Sequence, residues 1–498
     1  MLLGIDIGTT HGKVGLYAAE GVPIASESRK TVAYTHDDGY SYYDPEQMWT
    51  SIASAIRDVL QRAGSPRIAA IGITSMAESG LLIDRDTGQA RSPFMPWYDT
   101  CSQAQADRIA RASEPFELFR QTGLRNSFKM GLAKLLWIRD RFPEAFGGNV
   151  TWLSASSYIA YRLTGRMAID YTLAARTLAF RIDEKRWNGE WLAEFGFAES
   201  LFPEALPSGA KAGEVAAEGG AATGLAAGTP VAVAGHDHVI AALAVGSIAP
   251  GVVYDSMGTA ETLVGTLEER PLTRKQFDSG LSYGIHVAPE RHFWMGGNSA
   301  SGGSVEWLRA QLGSEPMSYE RLLALLDQVQ EWPTGILYYP YLQGAGAPAP
   351  NPRAKGAFIG FTGKQGQGEL IKAVLEGTAY QLQSIRRSAE EIAGSPIDRL
   401  LVVGGGTRNK HWLQVKADVL NCALEVPPIE EASLLGAAMA AGIGCGVYAS
   451  AEEAVQAVRT SGSATVTPDG VRHAAYRKLY ESGYVPLQGA LSAFYNQQ

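Results

Sequence analysis

The sequence predicts an α/β protein built from two similar halves that face each other across a cleft. Apolar strand-like runs alternate with helical patterns along the chain. A hairpin with a Gly-Thr turn occurs twice, at residues 8 and 258, half a chain length apart. The 498 residues are also too many for one typical domain. Composition narrows the class: 46% hydrophobic and 19% charged residues suit large buried cores. A net charge of −8, with no run of Lys or Arg, argues against a nucleic-acid or anionic-membrane surface. No run of 18 apolar residues is present, so no membrane span is expected. Cys101, Cys422 and Cys445 are widely spaced and form no C-x-x-C pair. That predicts neither a disulfide framework nor a zinc site and fits a reducing cytoplasm. The chain reads straight into a strand with no basic n-region, so no signal peptide is expected.

The first element is "GIDIGTTHGKVGLY", residues 4–17. A P-loop using Gly12 and Lys13 requires glycine at Ile7 and Ser/Thr at Val14, so that pattern fails twice, and G-x-G-x-x-G fails as well. Two apolar strands, 2–7 and 13–17, flanking a Gly/Thr turn read as a hairpin. Helical spacing follows at 46–63, then strands at 69–75 and 81–84, then helices at 102–112 and 130–141. The Ala/Gly-rich stretch 208–230 reads as a surface excursion with at most one short helix. The strand 230–235 leads into "HDH" and a small-residue helix. "VVYDSMGTAETLVG" (252–265) repeats the first hairpin: Asp255, then Gly258-Thr259, then a strand. Helices are expected at 303–312 and 369–393. A strand over 400–406 runs into a triple glycine and a helix over 409–422. Such a glycine turn lets backbone approach a nucleotide closely, and a helix N-terminus favours an anion.

Taken in order, these segments resemble the FGGY carbohydrate kinases of the actin/hexokinase/Hsp70-like ATPase superfamily. "GIDIGTT" resembles the first phosphate motif, and "IGITSMAESGLLID" and "PFMPWYDTCS" resemble sugar-side segments. "GTPVAVAGHDHVIAALAVG" is similar to the catalytic Asp segment and "DSMGTAE" to the second phosphate motif. "YYPYLQGAGAPAPNPRAKGAFIGFT" resembles a Pro/Gly-rich stretch of the family, and "VVGGGTRNKHWLQVKADVL" its adenosine motif. The resemblance covers nearly the whole chain. It implies two duplicated actin-like (ribonuclease H-like) ATPase domains, residues 1–245 and 246–498, with an interdomain cleft. The first carries the sugar side, phosphate motif 1 and the catalytic Asp; the second carries phosphate motif 2 and the adenosine motif. The implied reaction moves the γ-phosphate of ATP, with Mg²⁺, to a hydroxyl of a small-molecule sugar or polyol in the cytoplasm. Neither nucleic acid nor membrane is an expected partner, and a homodimer stays open because no residue specifies an interface.

The resemblance also assigns roles. Asp6 would help place magnesium through water, unless it only caps its turn. Gly8, Thr9 and Thr10 would offer amides and hydroxyls to the transferring phosphate, and Gly258 and Thr259 would do so from the other half. Lys13 reads either as a phosphate contact or as an exposed strand lysine. Asp237 is expected to be the general base that orients the attacking hydroxyl, against the alternative of a helix N-cap. The flanking His236 and His238 invite a metal reading, but no Cys or third His completes the set, and His238 reads better as a substrate contact. At "TSMAES" the chain departs from the xylulokinase Met-His form. Glycerol kinases carry Arg-Glu there, so Glu78 fits a polyol contact while Ala77 loses the Arg. Trp97 offers an apolar wall to the substrate or else packs a core, and Asp99 is a capping candidate. Gly404, Gly405 and Asn409 match the adenosine turn, and Gly302 matches a glycine beside the nucleotide. Glu78 tilts the acceptor toward a small polyol or short ketose, with pentuloses such as xylulose or ribulose still open. An actin-like polymer, an Hsp70-like chaperone and a catalytically idle sugar-binding regulator are the rival readings.

Overall fold

The computed structural model describes residues 1–458 and 462–497. Its frame is a pair of mixed β-sheets that repeat one topology. In the first half, Leu2–Ile7, His11–Tyr17 and Pro23–Lys30 form an antiparallel meander. Ala70–Ser75 and then Pro230–His236 add in parallel on the other side of Leu2–Ile7, and Lys211–Glu214 closes the edge antiparallel. In the second half, Val253–Met257, Glu261–Glu268 and Arg291–Asn298 make the meander. Arg399–Val403 and Ala423–Val426 are the parallel additions, and Ala464–Val466 is the antiparallel edge. One further strand, Ser282–Ile285, extends that meander. The repeat read from two hairpins therefore extends through every strand of the first sheet.

Local chemistry explains the elements. The parallel strand Ala70–Ser75 is buried along its whole length, as its uninterrupted small and apolar run requires. The helix Pro45–Arg62 starts where Asp44 accepts from the Gln47 amide, with Pro45 at the first helical position. It buries Trp49, Ile52, Ile56 and Val59, one stripe at helical spacing, against the meander. Two expectations need correction. The stretch 208–230 is no mere excursion: Lys211–Glu214 is the sheet edge, and the helix Ala217–Thr223 buries Gly219 and Thr223. An edge strand with one partner and a polar flank carries little apolar alternation to read. The strand expected over 400–406 stops at Val403, and its glycines turn into a 3₁₀ helix, Gly405–Arg408.

Equivalent helices follow the outer parallel strands: Asp237–Val245 in the first half and Ala432–Gly444 in the second. They pack against each other, and Ala432–Gly444 also lies across the first sheet. Ala241, Ala437, Ala438 and Ala441 are buried in this seam. Backbone approaches backbone there. A Cβ added at Gly4 would lie 2.1 Å from the Leu434 carbonyl oxygen, and one at Gly72 would lie 1.8 Å from that of Ala437. The glycines of the opening motif thus serve helix packing as well as the turn. Among the described residues no helix is long and apolar enough to cross a membrane, and all three cysteines are free thiols.

Candidate active site

Leu2–Ile7, Ala70–Ser75 and Pro230–His236 run parallel and end together, with Ile7 opposite Ser75 and Ser75 opposite His236. The carboxyl edge of such strands is where α/β sheets bind ligands. Asp6, Glu78 and Asp237 emerge there, one from each strand or its exit. Asp6 is buried and its Oδ2 accepts from Ser433 Oγ at 2.7 Å, a contact from the second half. Its Oδ1 is buried without a hydrogen-bond partner among the described residues. Burial, and then the neighbouring Asp237, push its carboxyl up to about 7. A partnerless carboxylate oxygen held at that cost fits a cation or a cation's water, so the residues present suit Mg²⁺.

Asp237 is the first residue of its helix, with about a quarter of its side chain exposed. Burial pushes its carboxyl up, but the His238 ring, the His236 hydrogen bond and charge, and the His238 amide outweigh this and hold it down to about 2. His236 Nε2 lies 3.1 Å from Oδ1, and the His238 amide donates to the same oxygen at 2.6 Å. The capping alternative is thereby limited to the adjacent amide, and the carboxylate stays ionised at neutral pH. Across the seam, the Tyr254 hydroxyl donates to the His238 carbonyl, so the second half reaches this site. Burial lowers the His238 pKa, and its ring meets that of His236 edge-on at 5.5 Å.

Beyond the strand Ala70–Ser75, Glu78 takes a left-handed conformation, φ 56°. Its carboxylate pairs with Arg176, at the C-terminus of the helix Tyr171–Ala175. Ala77 is buried in the core. Glu78, which has no Arg beside it in sequence, thus meets Arg176 in space, from a position no local motif marks. Trp97 Nε1 donates to Thr9 Oγ1 at 2.8 Å, tying this ring to the first Gly-Thr turn. Lys129 holds its ammonium 5.0 Å from the Trp97 ring centre. Arg176 and Lys129 were both missed by sequence reasoning. Asp99 accepts from the Ser41 and Cys101 amides and does not cap the helix Gln103–Ala112.

In the first Gly-Thr turn, Gly8 donates its amide to the His11 carbonyl at 3.0 Å, closing the turn that presents Thr9 and Thr10. Lys13 makes an ion pair with Glu431 of the second half at 2.6 Å, so it is not a free strand lysine. Gly258 and Thr259 are exposed, and their carbonyls accept from the Gly302 and Gly303 amides at 3.1 and 2.9 Å. A Cβ at Gly302 would stand 2.5 Å from the Gly258 oxygen, so the helix Gly302–Gln311 begins directly on the second Gly-Thr turn. Gly404, φ 103°, packs against Met257 of that same hairpin, while Gly405 is exposed with open space around it. Asn409 is buried and caps the helix Lys410–Leu420 by accepting from the Trp412 amide at 3.1 Å. The two Gly-Thr turns therefore follow equivalent strands, Leu2–Ile7 and Val253–Met257, and the triple glycine follows Arg399–Val403, the parallel neighbour of the second.

Comparison with known proteins places this geometry. Residues 1–244 match the model of the FGGY family of carbohydrate kinases, N-terminal domain, and residues 253–445 match that of its C-terminal domain. The chain is 30% identical over 466 residues to glycerol kinase 1 of Pseudomonas aeruginosa, covering 90% of each. It is 27% identical over 486 residues to the xylulose kinase of Bacillus subtilis, covering 96% of this chain and 95% of that one. Among solved structures, xylulose kinase from Rhodospirillum rubrum aligns over 99% of both chains, with TM-score 0.89 and 26% identity. Plasmodium falciparum glycerol kinase with ADP shares the fold over 96% of this chain, with TM-score 0.84 and 23% identity.

Proposed function

The chain belongs to the FGGY family of carbohydrate kinases, and on that premise we propose that Asp237 is its general base and that its acceptor is a short ketose or small polyol. The reaction class follows from the family: ATP-dependent phosphoryl transfer to an alcohol, with Mg²⁺. In such a transfer the protein mainly positions groups and neutralises charge. The acceptor hydroxyl gives its proton to the Asp237 carboxylate as its oxygen bonds the γ-phosphorus and ADP leaves. Bond formation lags in a loose transition state, so a carboxylate held as low as Asp237 is base enough. Thr9, Thr10 and Thr259, with the Gly8 and Gly258 turns, cradle the phosphates. Gly302, Gly404, Gly405 and Asn409 frame the adenosine side. Lys13, paired with Glu431, fixes the first turn from behind. Asp6 is the residue that holds Mg²⁺, which supplies charge neutralisation on the phosphates when bound. Glu78, His238 and Trp97 orient the acceptor, with Ala77 shaping the floor. The working domains are residues 1–245 and 246–498, and the composition suits a cytoplasmic enzyme.

The observation that carries this reading is the Asp237 carboxylate at the common end of three parallel strands, held on Oδ1 by His236 Nε2 at 3.1 Å and by the His238 amide at 2.6 Å. It is tested by coupling ADP release to a panel of glycerol, tetritols, pentitols, ketopentoses and hexuloses. Once an acceptor is found, Asp237→Ala should lower kcat by about 10² to 10⁴ while ATP still binds, the usual size of a general-base contribution. Near-normal turnover in that variant would place the base elsewhere.

A further inference from the structure

The acceptor side carries more positive charge than a neutral polyol uses. Arg176 spends one edge on Glu78, with only 12% and 7% of the two side chains exposed. Its Nε is buried without a hydrogen-bond partner among the described residues. Lys129 rests over the rings of Trp97 and Phe128, within electrostatic reach of Glu78 but, among the described residues, not ion-paired to it. Behind it, Lys134 is fully buried and donates to the Lys129 carbonyl. Two acids face these three cations. Glu78 is already held by Arg176, and Asp99 is occupied by the Ser41 and Cys101 amides at 2.5 and 2.8 Å. His238 lies within electrostatic reach of both Arg176 and Glu78, which joins this cluster to Asp237.

Resting on the kinase reading above, we propose that the site prefers, over a neutral ketose or polyol of the same length, the matching polyhydroxy acid. One of its hydroxyls faces Asp237, and its carboxylate answers Lys129 and the free edge of Arg176. A partly buried ammonium that shares its nearest acid, Glu78, with Arg176 is costly, and a ligand that brings a second anion recovers that cost on binding. A neutral alditol brings no second anion, so the pocket discriminates by charge as well as by shape. Guanidinium edges pair well with planar carboxylates. The bond changes are those of the parent reaction: the acceptor oxygen bonds the γ-phosphorus, the bridging P–O bond to ADP breaks, and the hydroxyl proton passes to Asp237. The carboxylate is unchanged throughout.

The test is ADP release by the full-length enzyme with matched pairs, three- to six-carbon aldonates against alditols of the same length and configuration. The acids should show the higher kcat/KM. Lys129→Met should cut the acid's advantage over its alditol by about 10- to 100-fold, chiefly through KM, as expected for a lost hydrogen bond to a charged group. Lys129→Arg should keep most of it. Phosphorylation of alditols and ketoses in preference to acids overturns the proposal and leaves the kinase reading intact. A rise in KM for ATP in Lys129→Met, with the acid-to-alditol ratio unmoved, also overturns it and assigns the ammonium to the phosphates. No ADP release from any member of either class sinks the kinase reading and this proposal together.

Discussion

Two carboxylates at one sheet edge are driven in opposite directions, and the difference follows from what each accepts. Asp237 has an imidazole and a backbone amide on Oδ1 and stays ionised. Asp6 has a single hydroxyl, from Ser433, and burial lifts its carboxyl to about 7. The sign of the consequence is definite. Between the ordinary value of 3.8 and about 7, the folded chain holds a proton on Asp6 that the unfolded chain has released. Stability from this group is therefore full below pH 4 and lost as pH rises through 7, on the order of 4 kcal/mol by pH 8. Asp6→Asn removes that loss. In buffer free of divalent cations, its Tm relative to the parent should climb between pH 5 and pH 8, and Mg²⁺ with a nucleotide should close the gap by stabilising the parent alone. A Tm difference that stays flat with pH would show that Asp6 titrates as an ordinary surface acid. The same residue illustrates what sequence conveys: an Asp after an apolar strand marks a site, but the hydroxyl 427 positions on that tunes it does not announce itself.

The elements most legible in the sequence were those with local signals: the Gly-Thr hairpins, the capped amphipathic helices and the buried parallel strands. Elements fixed by distant partners were not. Lys211–Glu214 is a strand because Pro230–His236 offers it an edge, and Arg176 matters because its helix ends beside Glu78. Glycines show the same division. Gly72 and Gly405 both sit in motifs that sequence reading ties to ligands, yet their surroundings differ. A Cβ on Gly72 would run into the Ala437 backbone, and one on Gly405 would meet nothing within 4 Å. Gly72→Ala should therefore cost about 1–3 kcal/mol of stability, the range for overpacking a core. Gly405→Ala should melt within about 0.5 kcal/mol of the parent, as surface substitutions do, while raising KM for ATP. Thermal melts beside ATP titrations check both. A nucleotide defect with unchanged melting in Gly72→Ala, or a large stability loss in Gly405→Ala, would reverse the assignment.

At the scale of the molecule, the halves are joined by exchanged helices rather than by a flat interface. The helix Asp237–Val245 opens on the proposed base, and the start of Ala432–Gly444 sends its N-cap Glu431 to Lys13 and Ser433 to Asp6. Each helix therefore begins at the site, and the two touch through small residues, with Gly436 against the Ile240 backbone. Any rotation of one half on the other must pass through this contact. It shifts the second Gly-Thr turn and the triple glycine relative to Asp237, Asp6 and the first Gly-Thr turn, which share one sheet. Phosphoryl transfer depends on that placement to within a fraction of an ångström, because catalysis here is largely orientation. A Cβ on Gly436 would stand 2.3 Å from the Ile240 carbonyl oxygen, so the helices must separate to admit it. Gly436→Ala should then lower kcat at least tenfold, with smaller changes in the KM of either substrate, for a stability loss of about 1–3 kcal/mol. Steady-state kinetics at a temperature well below the melt separates the two effects. If the variant melts early but turns over at the parental rate, the helix seam is only structural and the two ends of the site are set independently. If kcat falls while both KM values hold, the seam is what brings Asp237, Asp6 and the first Gly-Thr turn of one half into register with the second Gly-Thr turn of the other.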